Sequence, residues 1–254
     1  MTRLIAVLFT LFLSGCALNQ RQGELENRPE ITKSVMQREL ENVPQPASGK
    51  PVSVAVYSFQ DKTGQRRPQT NVASLSTAVT QGAETFLIKA LQDATGWFKV
   101  VERVGLDNLV KERQLIRNQR EVYEGKDAKP LRPLAVAGVM IEGGIIGYDS
   151  NIRSGGNGAR FLGIGGSQQY RVDEVVISLR VVSVASGEVL MTTAVSKTIY
   201  STAHSLGVLR FVDQGTKALE LENGAALNEP TTYAVRVAIE QGVYELIMDG
   251  EKKG

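Results

Sequence analysis

Between two strand-like stretches the chain carries RSGGNGARFLGIGGSQQY, residues 153–170, in which six of the twelve positions 155–166 are glycine. Backbone this free is unfavourable to order, so it marks an anion cradle, a long loop, or strands that must bend. A phosphate cradle fails on spacing. Gly158 and Gly163 have the separation of a Walker pair, but Ile164 stands where lysine should, and no G-x-G-x-x-G is present. No helix follows to lend its N-terminus, because RVDEVVISLRVVSV (171–184) is β-branched and strand-like.

The first residues, MTRLIAVLFTLFLSGCALNQ, give a charged start at Arg3, an apolar run from Leu4 to Leu13, and the small residues Ser14 and Gly15 before Cys16. That is a secretory signal, over 1–15, since the run is too short for the roughly twenty residues a membrane helix needs. LSGC looks like the bacterial lipobox, which implies cleavage before Cys16 and acylation of it. Cys16 is the single cysteine, so it serves no intrachain disulfide. Resemblance to lipoproteins adds that Ala17 after the cysteine suits transfer to the outer membrane, where several acyl chains on one residue anchor firmly.

With one histidine, His204, and a lipidated cysteine, the chain has no N/S metal cage and no Cys–His pair, and G-x-S-x-G is absent. The expected inventory is therefore no catalytic residue, no metal and no cofactor beyond the lipid on Cys16. A net charge of +2 with interspersed signs argues against nucleic acid as partner.

From Ala17 to Lys50 the chain is polar and carries Pro29, Pro44 and Pro46, which reads as a flexible arm, 16–50, with at most one short helix. Residues 51–254 read as one mixed α/β (α+β) domain with helices covering a mostly central sheet. VSVAVYSF (52–59) alternates as a strand. Val79, Ala83, Phe86, Leu87, Ala90 and Leu91 recur at helical spacing before Gly96. WFKVVER gives a short strand, and LDNLVKERQLIRNQ a helix with Leu106, Leu109, Val110 and Ile116 on its apolar side. Strand resumes over 137–148, ASG (185–187) joins two further β runs, and a last helix runs from Pro230 to Gly250.

Two segments do not belong to this scaffold: 153–172 and 201–228. The first is long enough for two tilted membrane strands of about ten residues. The second mixes apolar Leu206, Val208, Leu219 and Leu221 with polar Ser205, Lys217 and Glu220, the weak alternation of a membrane barrel. On periodicity alone two long surface loops are the preferred reading, because barrel signals are weak per segment. If both are membrane hairpins, one chain supplies four strands where a closed barrel needs at least about eight, so the subunits must share a barrel.

GYDSNIRSGGNGARFLGIGG, DEVVISLRVVSVASGEVL and SKTI, with FQDKTGQ, STAV, WFKVVERVGLDNLVKER and the late NEP, closely resemble the CsgG family of curli secretion lipoproteins of Gram-negative outer membranes. The resemblance holds in the same order from the lipobox to about Asp249. It implies a homo-oligomeric outer-membrane channel, of roughly nine subunits, that exports unfolded curlin-like amyloid subunits without ATP. The α/β domains would form a periplasmic cage, with 153–172 and 201–228 as the transmembrane hairpins, and a periplasmic cap and a surface factor as accessory partners. In the family a tyrosine, an asparagine and a phenylalanine narrow the channel; here Gln69, Ser74 and Leu75 match them, which implies a less aromatic constriction. Two other readings remain open on the residues alone: a non-porous outer-membrane lipoprotein that assembles or anchors surface fibres, and an enzyme using paired carboxylates.

Overall fold

The computed structural model describes residues 33–64, 80–161, 164–212 and 217–253; Cys16, Gln69, Ser74, Leu75 and Val79 lie outside them. The element order is α1 (Val35–Glu41), β1 (Val52–Asp61), α2 (Glu84–Asp93), β2 (Phe98–Val101), α3 (Leu106–Tyr123), β3 (Val139–Phe161), β4 (Ile164–Ser183), β5 (Val189–Val212), β6 (Lys217–Asn228) and α4 (Thr231–Lys253). The strands form one mixed sheet in the order β2-β1-β3-β4-β5-β6. Strand β1 is parallel to both β2 and β3, and every later pair is antiparallel.

One face of the sheet is covered. Val54, Val56, Ile141, Ile145, Val175, Ile177, Leu179 and Val181 form a buried layer with Leu87, Ala90 and Leu91 of α2 and Val235, Ile239 and Val243 of α4. Along β4 the odd residues from Asp173 to Val181 are buried while the even ones are not, the period of two that a half-covered sheet demands. Gly242 lets α4 sit close, for a Cβ there would lie 2.7 Å from Leu179 Cδ1.

Three sequence expectations are corrected. The apolar side of α3 does not enter the core: none of its residues is buried, and Leu115 and Ile116 are exposed. It is held by Arg113 and Arg120, whose guanidinia donate to the carbonyls of Arg132 and Lys129 at 2.6 and 2.9 Å. The last helix does not stop at Gly250 but runs on to Lys253, because a helical glycine lowers stability without breaking the hydrogen-bond ladder. The arm is docked from Ser34 onward: Leu40 and Val43 join the core. Ser34 Oγ caps α1 by accepting from Gln37 N at 2.9 Å and donates to the Glu240 carboxylate of α4. Arg236 then holds both Glu240, at 2.8 Å, and the Gln37 side chain, at 2.5 Å.

Candidate functional site

The glycine-rich stretch is not a loop. It lies within two strands of 23 and 20 residues, and the pairing of β3 with β4 runs from Arg153↔Val172 to Phe161↔Ile164. Nor do 153–172 and 201–228 interrupt the scaffold: β3, β4 and β5 pass from the helix-covered core into a distal region without a break, and β6 joins at Ser201↔Asn228. The distal region is thus four antiparallel strands, β3-β4-β5-β6, with no helix of the described residues against it. Gly155 shows why glycine suits it: a Cβ there would meet the Tyr170 ring at 2.7 Å, so the aromatic folds across the gap its partner leaves.

The ladders sort the distal residues into two faces. One aligns Gly155, Asn157, Ala159 and Phe161 with Tyr170, Gln168, Gly166 and Ile164, and then with Thr202, His204, Leu206 and Val208. On it Phe161, Ile164 and Tyr170 are all exposed, as is Tyr200 one step nearer the core. The β6 positions in the same alignment are Leu221, Asn223, Ala225 and Leu227. The other face aligns Ser154, Gly156 and Gly158 with Arg171, Gln169 and Ser167, and then with Ser201, Ala203 and Ser205. Here the side chains are small or polar, and the Ser167 and Ser205 hydroxyls hydrogen-bond at 2.6 Å. The first face is mixed, with Asn157, Gln168 and His204 in line across it, but water alone gives a strand no reason to expose Phe161, Ile164 and Tyr170 together, and such weak alternation is what a barrel wall shows.

A polar cluster fastens the core to the distal strands. Arg171 Nη2 lies 2.8 Å from Asp173 Oδ2, with side chains 17% and 2% exposed. Tyr148 donates its hydroxyl to the same oxygen at 3.2 Å. Burial first and the neighbouring Asp173 carboxylate second push the Tyr148 phenol above its ordinary value, against a hydrogen bond from Thr231 at the start of α4. Register shifts in β3 bracket Tyr148, at Ile145/Gly147 and at Asp149/Arg153, so the cluster holds the strand where its pleat changes phase. Beside it, Lys197 pairs with Glu229 at 2.9 Å. Sequence reasoning missed this cluster, although Asp173 stands in phase with Val175, Ile177 and Leu179, where a lone carboxylate signals a buried partner.

Of the site residues expected from sequence, Cys16, Gln69, Ser74 and Leu75 fall outside the described residues. The described residues that flank 65–79 are nonetheless tied to the core. Asp61, at the end of β1, accepts from Gln81 Nε2 at 3.1 Å, and Lys62 N donates to Ile145 O at 3.0 Å. These flanking residues therefore lie at the edge of the core from which β3 rises into the distal sheet.

Among the described residues no three His, Cys, Asp or Glu side chains are grouped to hold a metal. No described helix is long and apolar enough to cross a membrane, which leaves crossing by strands untouched.

Residues 34–254 match the model of the family described as "Curli production assembly/transport component CsgG". Proteins of that name from Salmonella typhimurium and Escherichia coli are each 41% identical over 256 aligned residues, covering 100% of this chain and 90% of theirs. Among solved structures, lipoprotein GNA1162 from Neisseria meningitidis aligns over 58% of this chain and 83% of its own at 11% identity. Its TM-score of 0.30 is too low to carry an argument.

Proposed function

Because the chain belongs to the CsgG family of curli production assembly/transport components, we propose that it is one subunit of an oligomeric outer-membrane secretion channel for unfolded curli-type amyloid subunits. The family is one of transport and assembly components and not of enzymes. The observation that carries the reading is the distal four-stranded sheet, which no described helix covers and which exposes Phe161, Ile164 and Tyr170 together on one face. Four strands cannot close a barrel, and open strand edges do not survive in lipid, so copies must pool their strands. The uncovered apolar residues of α3 support contact between copies outside the membrane as well.

In this reading the ring holds about nine copies, and acyl chains on Cys16 tether each to the outer membrane with its α/β domain in the periplasm. The residues flanking the segment that carries Gln69, Ser74 and Leu75 lie at the base of the distal sheet, where a constriction would admit an extended chain and hold back folded protein. Movement through it is diffusive and uses no nucleotide. A periplasmic cap and a surface factor are the accessory partners.

Single-channel recording of the purified lipoprotein in planar bilayers tests this. Large, steady, uniform conductance steps are expected. Silence from protein that is folded and membrane-bound would replace the channel with a non-porous lipoprotein that anchors surface fibres.

A further inference from the structure

The core sheet ends on two strand edges whose hydrogen-bonding groups can be sorted by parity. Glu229 N donates to Tyr200 O at 3.1 Å, and Tyr200 N donates to the Glu229 carboxylate at 3.4 Å, so both backbone groups of Tyr200 face away from β4. Pairing of β5 with β4 is regular from Met191 upward, and backbone direction alternates along a strand. Thr192, Ala194, Ser196 and Thr198 therefore face the same way as Tyr200. Thr198 O is taken by Lys197 Nζ at 2.6 Å, and β6 pairs only from Ser201 on. Among the described residues, Thr192, Ala194 and Ser196 thus present backbone groups with no strand beside them. Val189 to Ser196 also contains no charge and no proline, the devices that normally blunt such an edge.

The opposite edge is β2. Val52 N donates to Trp97 O at 2.8 Å, with Val52 in register with Phe98. In a parallel ladder this turns Trp97, Lys99 and Val101 toward β1 and leaves Phe98 and Val100 facing outward.

The two edges match in direction, parity and face. Chain directions run the same way, since β2 is parallel to β1 and β3, and β5 is two antiparallel steps from β3. Thr192, Ala194 and Ser196 are exposed on the face away from the helices, as is Lys99. Val195 and Met191 pack against the core on the other face, as do Phe98 and Val100. A free extended peptide would satisfy the backbone of β5 alone. A strand that is apolar on one side, charged on the other and already oriented is what this chain carries at its own far edge.

We propose that the β5 edge of one copy pairs in parallel with β2 of the next, so that the periplasmic sheet continues from subunit to subunit. Ala194 then stands opposite Lys99 of the neighbouring copy, with Thr193 and Val195 beside that copy's Phe98 and Val100, in a ladder of about four hydrogen bonds. The contact is heterologous, the kind that closes into a ring. The inference rests on the oligomeric channel reading and assigns the contact between its subunits outside the membrane.

Paired cysteines test it in the full-length lipidated protein. Directly opposed residues on neighbouring strands lie within disulfide reach, so Ala194→Cys with Lys99→Cys, after mild oxidation, should give a ladder of covalent oligomers on a non-reducing gel; either change alone should give monomer. Ala194→Pro removes an N–H that the chain's own ladder does not use. It should leave the subunit folded while lowering ring yield at least tenfold, about 1.4 kcal/mol in the assembly equilibrium as a whole. No ladder in a protein that lysine cross-linking shows to be a ring, or a full ring yield for Ala194→Pro, overturns the edge pairing and leaves the channel standing. A protein that is monomeric by every cross-linker and silent in bilayers overturns both.

Discussion

Replacing Asp173 by alanine should be among the most damaging single changes in the described core. The carboxylate is 2% exposed and sits 2.8 Å from the Arg171 guanidinium, whose Nε is buried with no hydrogen-bond partner among the described residues. Losing the carboxylate strands a largely buried positive charge, a loss of about 3–5 kcal/mol. It also leaves the Tyr148 hydroxyl without its acceptor, for about 1–3 kcal/mol more. The two losses share one site and do not simply add, so about 4 kcal/mol is the expected total. Urea unfolding followed through Trp97 measures it: this is the chain's single tryptophan, packed on Phe98 with ring centres 6.5 Å apart and donating its indole N–H to Pro44 O at 2.7 Å. The discriminating variant is the double change Asp173→Leu with Arg171→Met, which removes both charges and should recover most of the lost stability. A single variant within about 1 kcal/mol of wild type, or a double variant worse than the single, would refute the electrostatic account of the joint.

Tyr148 has a phenol raised above 10.0, so its contribution to stability is complete below about pH 10 and is lost as pH climbs through the raised value. Urea midpoints should therefore fall above about pH 10 less steeply in Tyr148→Phe than in wild type. Two glycines of α4 should respond with opposite signs. Gly242→Val drives a branched side chain into Leu179, whose Cδ1 lies 2.7 Å from the first added atom, and should destabilise by about 2–3 kcal/mol. Gly250→Ala meets only Met191 Cε, at 3.8 Å, and should stabilise by up to about 1 kcal/mol in the same urea assay. If the 65–79 segment lines the pore, Leu75→Phe should lower single-channel conductance, and unchanged steps would remove Leu75 from the constriction.

Local chemistry made much of the core legible. Val52, Val54 and Val56 announced β1, and Gly96 and Gly187 stand where the chain adopts φ +85° and +73°, conformations that favour glycine. The docking of the arm also had a local sign, since Ser34 and Gln37 have the S-x-x-Q spacing of a capping box, but its polar surroundings outweighed it. The distal strands were harder. Glycine lowers strand propensity, and the compensation at Gly155 comes from Tyr170, a residue opposite in the ladder and far along the chain. Helix α3 misled for the converse reason: its apolar spacing is genuine, yet none of its residues is buried, and it is tied to its own chain through the carbonyls of Lys129 and Arg132. The joint was hidden because Tyr148, Arg171 and Asp173 acquire meaning only when β3 and β4 are placed side by side.

Because β3, β4 and β5 run unbroken from the core into the distal region, the alignment of the distal ladder is tied to that of the core. A one-residue slip between β4 and β5 at Ser205 could occur only with the same slip at Ile177 and Leu179, which would turn those side chains out of the core. The folded domain therefore acts as a template, correcting strand alignment in a glycine-rich wall too featureless to correct itself. If the distal strands enter a membrane as proposed, their order within one chain is then already set, and only the joining of neighbours is left for the bilayer.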